Sequence, residues 1–222
     1  MSIKERVESL ILKVEEIKNR CGRKDEIVIE GVTKGVDLDR IIEAYHAGIK
    51  VMGENRVQEA REKIPELNLD IEWHLIGHLQ RNKVKYAVKL FKMIESVDSV
   101  ELAREINKRA PSKMNILVEV NTSGESQKFG VSPEGLSYLI DEILKMDKLV
   151  LKGLMTVGPY PVEEKKTRKA FALLRELRDK TEQKFKIKLP ILSMGMTEDY
   201  EYAIIEGSTL LRIGRGIFGE RR

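Results

Sequence analysis

Short apolar runs alternate with longer amphipathic segments along the whole chain. The first segment has apolar residues at helical spacing, namely Ile3, Val7, Leu10, Ile11, Val14 and Ile17. This periodicity predicts a helix over residues 3–19. The next run, residues 26–33 (EIVIEGVT), is rich in β-branched residues, which predicts a buried strand. An amphipathic helix is then predicted over residues 38–47.

The same strand-then-helix order continues until eight strands have been counted. Predicted strands cover residues 26–33, 49–52, 72–76, 91–96, 115–121, 149–157, 191–194 and 209–213. Predicted helices after the first seven strands cover residues 38–47, 56–63, 80–88, 99–109, 133–144, 163–184 and 198–205. We expect Ser132 to cap the helix that begins at Pro133, and Thr197 to cap the one that begins near residue 198.

Eight strand–helix units without a Pro/Gly/Ser-rich linker favour one closed parallel barrel. The predicted fold class is therefore α/β, a single (β/α)8 TIM-type barrel domain over residues 1–222 with an additional N-terminal helix. We expect that helix to cover the part of the barrel wall that a helix after strand 8 would otherwise cover. An open doubly wound sheet is the alternative architecture.

Composition narrows the classes of function. A hydrophobic fraction of 41% over 222 residues supports a substantial core. The 40 basic and 36 acidic residues leave a net charge of +4 that is spread along the chain, whereas nucleic-acid binders concentrate their basic charge. No apolar run approaches the roughly 20 residues of a membrane span, and the first residues lack a signal-peptide core. We expect no nucleic-acid partner, no membrane association and a cytoplasmic location.

Cysteine and histidine give no indication of a metal site. Cys21 is the single cysteine, so neither an internal disulfide nor a cysteine-based zinc site is expected. The three histidines, His46, His74 and His78, lack acidic partners at metal-ligand spacing in the sequence. We therefore predict no metal, and interpret His74 and His78 as packing or capping residues.

In barrels of this kind the working residues follow the C-terminal ends of the strands. Lys34 ends the first predicted strand and, by alternation, shares a face with Val32, so it is expected to project into the barrel mouth. A partly desolvated lysine there would favour the neutral amine that attacks an aldehyde. A solvated lysine at a strand end is the alternative.

The loops after strands 7 and 8 form the second candidate feature. Residues 193–197 (SMGMT) and 214–216 (GRG) combine small residues with the start of a predicted helix, and barrels commonly bind phosphate at these two loops. Two ordinary tight turns would explain the same residues. A reactive lysine and a phosphate cradle on one rim together indicate a phosphorylated aldehyde as ligand.

Arg212 lies within the last predicted strand and shares a face with Leu210. An arginine that points into a barrel needs a partner. Two interpretations stand at this point: an ion pair with Glu30 or Glu119, or a donor to a ring nitrogen or a phosphate of a ligand.

Long stretches of the chain resemble a known family. The matching stretches are VTKG around Lys34, MGENRVQEAREKI (52–64), WHLIGHLQRNKVKY (73–86), SVDSVELAREIN (96–107), VEVNTSGESQKFG (118–130), KGLMTVGP (152–159), LSMGMTEDYEYAI (192–204) and EGSTLLRIGRGIFG (206–219). In these the sequence resembles the YggS/PROSC family of pyridoxal 5′-phosphate (PLP) homeostasis proteins, which is related to the N-terminal barrel of alanine racemase.

The resemblance implies a PLP site and a role for each of its residues. Lys34 would form an imine with PLP, Asn55 would lie beside the cofactor, and Arg212 would face the pyridine nitrogen. The phosphate would be held by Ser193, Gly195, Met196, Gly214 and Arg215. No catalytic residue is implied.

The chain departs from the family pattern at two places near this site. Gly35-Val36-Asp37 follows the lysine where the family commonly has Thr-Lys-Pro, so no role can be taken over for a second lysine. Arg215 stands where the family often has threonine, which removes a hydroxyl but supplies a good phosphate partner.

Three functions agree with these residues. We favour a non-enzymatic protein that binds PLP reversibly, buffers or delivers it, and thereby affects amino-acid and keto-acid balance. A PLP-dependent amino-acid racemase and a Schiff-base aldolase acting on a sugar phosphate are the alternatives. In alanine racemase the second acid–base group comes from a C-terminal domain of the partner subunit, and this sequence shows no such domain. For the favoured function, apo forms of PLP enzymes are candidate recipients, and a monomer or weak dimer is expected.

Overall fold

Eight parallel strands close into a barrel in the computed structural model, which describes residues 1–220. The strands are β1 (Val28–Val32), β2 (Val51–Glu54), β3 (Glu72–Leu75), β4 (Met93–Val97), β5 (Met114–Glu119), β6 (Leu149–Met155), β7 (Ile191–Ser193) and β8 (Leu210–Ile213). Each strand pairs with the next one in the sequence, and β8 pairs with β1. The predicted barrel is confirmed, and the open sheet is excluded.

Helices connect the strands and form the outer layer. They are α1 (Ile3–Arg20), α2 (Leu38–His46), α3 (Val57–Lys63), α4 (Val84–Leu90), α5 (Val100–Arg109), α6 (Leu136–Leu144), α7 (Glu164–Phe185), α8 (Tyr200–Ile205) and α9 (Arg215–Phe218). Short 3-10 turns at Ile64–Glu66 and Arg81–Lys83 follow α3 and precede α4. The helix predicted over residues 80–88 therefore begins with a 3-10 turn. The main hydrophobic core lies between the strands and these helices.

Two predicted helix starts are wrong. α6 begins at Leu136, because Ser132 caps a turn instead, with its hydroxyl accepting a hydrogen bond from the amide of Gly135 at 3.2 Å. α8 begins at Tyr200 with Asp199 in the N-cap position, and the hydroxyl of Thr197 does not cap it. In both places a polar turn precedes the helix, and a turn and a first helical turn have similar local sequence signals.

The N-terminal helix packs where it was expected. α1 lies against α2, α8 and α9, so it covers the wall beside the β8–β1 seam. Its start is fixed by a capping box between Ser2 and Glu5, and the amide of Ile3 donates to the carboxylate of Glu43 in α2 at 3.1 Å. No sequence pattern indicates α9, a helix of four residues that shares this covering role.

The described part of the chain contains no membrane-spanning segment. Within residues 1–220, no helix is both long enough and apolar enough to cross a membrane.

Candidate functional site

Lys34 leaves the C-terminal end of β1 and lies at the mouth of the barrel. Its half-buried side chain lines a cavity of about 570 Å³ together with Asn55, which follows β2. His78, from the loop after β3, lines the same cavity. The structure thus brings together the two predicted residues Lys34 and Asn55 at one part of the rim.

A network of charged side chains holds the backbone on either side of Lys34. The ammonium group of Lys63 donates to the carbonyl oxygen of Thr33 at 2.7 Å, and it also pairs with Glu54 at 3.0 Å and Glu59 at 2.6 Å. Glu59 in turn accepts a hydrogen bond from the amide of Gly35 at 2.6 Å. The peptide units before and after Lys34 are therefore both fixed to α3.

Gly35 explains one of the departures from the family pattern. Its φ of +66° lies in the left-handed region, which glycine adopts at little cost. Val36 follows as a buried residue, and Asp37 precedes α2. The loop after β1 is thus a tight glycine turn that places Val36 in the core.

A second cavity, of about 230 Å³, lies next to the first at the same end of the barrel. Four predicted residues line it, namely Met196, Arg212, Gly214 and Arg215. Val32 also lines it, two positions before Lys34 on β1. Because β1 and β8 are paired neighbours, the lysine cavity and this arginine cavity lie at the same end of the barrel, and each has a wall residue at the end of β1, Lys34 and Val32 respectively.

Side chains from both loops organise the rim of the arginine cavity. The hydroxyl of Thr197 accepts a hydrogen bond from the amide of Gly216 at 3.1 Å, which joins the loop after β7 to α9. Asp199 accepts from the amide of Met196 at 2.5 Å, so that amide already has a partner. Burial raises the pKa of the Asp199 carboxyl.

The two predicted glycines of these loops differ in their surroundings. Gly195 is buried with a φ of +98°, and a Cβ there would lie 2.5 Å from the Cβ of Ala203. Close packing of the loop onto α8 therefore requires glycine at this position. Gly214 is more open, since a Cβ there would lie 3.6 Å from the Cβ of Val32.

Arg215 lies at the outer edge of the arginine cavity. It pairs with Glu198, and its guanidinium lies 3.7 Å from the carboxylate of Glu220. Its side chain is nearly half exposed, so it can exchange these partners for a ligand anion without moving a buried group.

Arg212 is buried, with 4% of its surface exposed, and its contacts do not fit the interpretation as an ion pair with Glu30 or Glu119. One guanidinium nitrogen donates to the hydroxyl of Ser193 at 2.6 Å, and the other donates to the carbonyl oxygen of Thr156 at 2.7 Å. Among residues 1–220, no carboxylate lies within ion-pair distance of Arg212, so neither Glu30 nor Glu119 is its contact partner.

Ser193 lies below the cavities. Its fully buried hydroxyl donates to Glu95 at 2.5 Å while accepting from Arg212. In this arrangement the hydroxyl is directed into the barrel and is already engaged. Ser193 and Gly195 thus lie beneath the other predicted residues and line neither of the two cavities.

The barrel interior also contains a group that sequence reasoning missed. Nδ1 of His74 lies 2.8 Å from the carboxylate of Glu95 and 3.0 Å from that of Glu30, and Nε2 lies 3.2 Å from that of Glu72. Strand alternation places Glu30, like Val32 and Lys34, on one face of β1, but nothing in the sequence shows that β3 and β4 direct His74 and Glu95 to the same point.

Electrostatics within this group favour a protonated histidine. Burial alone would lower the pKa of His74, but the adjacent carboxylates of Glu30, Glu72 and Glu95 outweigh it and hold that pKa well above its ordinary value. Burial raises the pKa of Glu30 to about 7, and the neighbouring Glu95 charge adds to this effect. For Glu95 itself, burial is outweighed by His74 and Arg212, which keep its pKa low.

An aromatic pair includes His78 from the wall of the lysine cavity. The ring of Phe129, from the loop after β5, stacks on His78 with centroids 4.0 Å apart and planes 13° apart. From the same loop, Lys128 donates to the carbonyl oxygen of Gly158 at 2.6 Å and lines the arginine cavity. This loop therefore lines the arginine cavity through Lys128 and contacts the wall of the lysine cavity through Phe129, a role that its sequence did not indicate.

Comparison with known proteins gives the family. The alanine racemase N-terminal domain family matches residues 8–222. A curated relative from Aquifex aeolicus, named pyridoxal phosphate homeostasis protein, is 43% identical over 227 residues and covers 100% of both chains.

Solved structures agree with this relationship. The structure of PipY from Synechococcus elongatus PCC7942 with PLP bound has a TM-score of 0.86 and 32% identity, covering 98% of this chain and 100% of PipY. An alanine racemase from Clostridium difficile has a TM-score of 0.78 at 17% identity and covers 97% of this chain but 60% of its own, which shows the shared barrel fold. The chain therefore belongs to the family of pyridoxal phosphate homeostasis proteins, within the wider family of the alanine racemase N-terminal domain.

Proposed function

We propose that this protein binds PLP at the mouth of the barrel, holds it as an imine on Lys34, and takes part in intracellular PLP homeostasis by buffering or delivering the cofactor. The observation that carries the proposal is the juxtaposition at the β8–β1 seam. A lysine at the end of β1 lies beside a cavity that contains a buried arginine and the loops after β7 and β8.

The residues present fit this cofactor. PLP combines an aldehyde, which an amine can attack, with a phosphate dianion and a pyridine nitrogen. Lys34 supplies the amine, and Asn55 lies on the same cavity wall. Arg212 is a buried cation without a carboxylate in contact among the described residues, so it can donate to a ring nitrogen.

The phosphate is assigned to the loops after β7 and β8. Ser193, Gly195, Met196, Gly214 and Arg215 form or support these loops, and two of them are glycines that permit close backbone approach. The first amides of a helix have no partner within that helix, which leaves the amide of Arg215 directed away from α9. Because Asp199 already accepts from the amide of Met196, that amide would have to exchange its partner.

Other parts of the proposal concern the protein as a whole. We infer one domain over residues 1–222, the last two residues of which lie outside the described ones. Apo forms of PLP enzymes are the proposed recipients, and the protein acts in the cytoplasm as a monomer or weak dimer. An exposed cavity mouth agrees with delivery, because the bound cofactor would leave without unfolding of the barrel.

The attachment of PLP can be tested directly. Purified protein is expected to show the absorbance of a PLP imine, and borohydride followed by mass mapping should find the reduced adduct on Lys34. Lys34→Ala should fold and lack this absorbance. The matched control is Lys83→Ala, because Lys83 lines the same cavity and should be dispensable. An adduct on Lys83 or on any other lysine would contradict the assignment, and a colourless protein that never takes up PLP would contradict the function.

A further inference from the structure

Five side chains form a continuous polar path through the barrel interior. We call Glu72, His74, Glu95, Ser193 and Arg212 the interior chain. Its successive contacts are 3.2 Å from Glu72 to His74, 2.8 Å from His74 to Glu95, 2.5 Å from Ser193 to Glu95, and 2.6 Å from Arg212 to Ser193. Glu72 begins β3 at the N-terminal end of the barrel with a half-exposed side chain, whereas Arg212 lines a cavity at the opposite end.

The interior chain accounts for how a buried guanidinium is held without a contact ion pair. Removing a cation from water costs several kcal/mol unless its surroundings compensate. Arg212 uses one nitrogen on the carbonyl oxygen of Thr156 and the other on the hydroxyl of Ser193. Since that hydroxyl gives its own proton to Glu95, the negative charge of Glu95 acts on Arg212 through one intervening group.

The bonding direction is fixed at each step. An ionised Glu95 can only accept, so Ser193 must donate to it and has its lone pairs free for Arg212. A protonated His74 donates from Nδ1 to Glu95 and from Nε2 to Glu72. Reversing one bond would leave a buried donor or acceptor unpaired, which is unfavourable.

We propose that Glu95 and His74 are positioning residues for Arg212, holding its guanidinium at the floor of the arginine cavity through the hydroxyl of Ser193. The consequence of this positioning for the cofactor rests on the proposed function. There the fixed guanidinium of Arg212 faces the pyridine nitrogen of PLP and keeps that nitrogen unprotonated. Neither Glu95 nor His74 lines either cavity, so both act through Arg212 and not on the ligand.

Several other acidic side chains lie near His74 or Arg212, and their effects must be distinguished from that of Glu95. Glu30 lies 3.0 Å from Nδ1 of His74 but has no aligned hydrogen-bond donor. Glu119 and Asp199 act on Arg212 through their charge and make no hydrogen bond to it, and Asp98 lies close enough to affect Glu119. Glu119 is therefore the matched control for Glu95: it is also a buried glutamate near Arg212, but it lies outside the interior chain.

The first test needs no cofactor. In the apo protein labelled with ¹⁵N-arginine, the Nη–H signals of Arg212, assigned by their loss in Arg212→Lys, should be separate and slow to exchange. Glu95→Gln and Ser193→Ala should merge them through free rotation, whereas Glu119→Gln should leave them unchanged. Ser193→Ala introduces no change of charge, so it decides the matter if Glu95→Gln fails to fold. Wild-type signals in both variants would overturn the positioning role.

The second test uses PLP. Glu95→Gln should weaken PLP binding about tenfold, equivalent to about 1.4 kcal/mol. It should also lower the pH midpoint of the bound cofactor's absorbance by about one pH unit, because a ring nitrogen released from Arg212 takes up a proton and acidifies the imine. Glu119→Gln should change the affinity for PLP by less than about twofold and the pH midpoint of the absorbance by less than about 0.3 unit. An unshifted midpoint in Glu95→Gln would overturn the role toward the cofactor. Failure of every variant to take up PLP would instead refute the proposed function, leaving the apo test valid.

A metal ion is the competing explanation for the centre of the interior chain. Ligand atoms of Glu30, His74 and Glu95 all lie within 4.8 Å of one another, and a cation would need Nδ1 of His74 without its proton. Elemental analysis of purified protein should find no stoichiometric metal, and addition of zinc or manganese should not raise its melting temperature. One equivalent of a divalent metal per chain, removable by a chelator, would overturn the proposal because Nδ1 could no longer donate to Glu95.

Discussion

Strand alternation predicts which side chains point into a barrel but not which of them meet. Lys34 and Arg212 both lie at the barrel mouth, as period-2 alternation from Val32 and Leu210 indicates. Of the two interpretations of Arg212, the ion pair with Glu30 or Glu119 is wrong, because partners across a barrel depend on strand tilt and register. Those two quantities involve all eight strands and leave no local pattern in the sequence.

Glu119 illustrates what a single buried acid does to stability. It lies in β5 with 7% of its surface exposed, and burial raises its pKa to about 7 from an ordinary value of 4.5. A raised folded-state pKa contributes stability that is fully present below pH 4.5 and is lost as the pH rises through 7. Above that range the protein must hold a desolvated carboxylate.

Replacing this acid by its neutral isostere should therefore stabilise the protein only at high pH. Glu119→Gln is expected to raise the free energy of unfolding at pH 8 by up to about 3 kcal/mol, and to leave it nearly unchanged at pH 4. Urea unfolding of both proteins at the two pH values measures the difference. An equal effect at the two pH values would show that packing, and not the charge of Glu119, determines the result.

Helix and loop boundaries near the site were the least predictable features of the fold. The spacing of apolar residues gives every long helix correctly, but Thr197 looks like an N-cap when only its own segment is considered. Its actual partner, the amide of Gly216, belongs to a helix of four residues that is too short to have a periodic pattern. The contact between the loop after β7 and the loop after β8 therefore cannot be predicted from either segment alone.

The hydrogen bond between Thr197 and Gly216 connects the two loops proposed to hold the phosphate, so we expect it to affect phosphate affinity. PLP should bind far more strongly than pyridoxal, because charge-assisted hydrogen bonds to the phosphate provide much of the affinity. Thr197→Val should reduce that advantage severalfold and have little effect on pyridoxal, since the amide of Gly216 loses its acceptor and the loops separate. Titration of each ligand against both proteins measures the two affinities.

Thr209→Val is the matched control for this experiment. Thr209 also bridges β7 and β8, accepting from the amide of Leu192 at 2.9 Å and donating to the carbonyl oxygen of Pro190 at 3.1 Å, but it lies at the opposite end of the barrel. Thr209→Val should leave the ratio of the affinities for PLP and pyridoxal unchanged. Equal affinity of the wild-type protein for PLP and pyridoxal would contradict the phosphate assignment.

The barrel as a whole has features of a binding protein more than of a racemase. Racemisation needs an acid–base group on each face of the bound substrate, and Lys34 can serve one face. Among the described residues, no tyrosine lines the lysine cavity, and Tyr160 lines the arginine cavity instead. Arg212 beside the ring nitrogen would also weaken the electron-withdrawing capacity of the cofactor.

We therefore expect negligible turnover of amino acids. Exchange of the α-proton of L- and D-amino acids in deuterated water, followed by NMR, should not exceed that of the Lys34→Ala blank. The curated relative from Aquifex aeolicus carries the name of a homeostasis protein, in agreement with this expectation. Exchange at several turnovers per second that disappears in Lys34→Ala would assign the protein to the enzymes.

The pairing of the first strand with the last has a consequence for biogenesis. Val28 of β1 lies opposite Leu210 of β8, so the ring cannot close until nearly all of the chain has left the ribosome. Lys34 belongs to one side of this seam, and the loop after β8 belongs to the other. No nascent fragment that lacks the last strand contains both halves of the cofactor site. At the proposed site, capture of PLP would thereby be restricted to finished molecules, and the bound cofactor would join the earliest and the latest synthesised parts of the barrel.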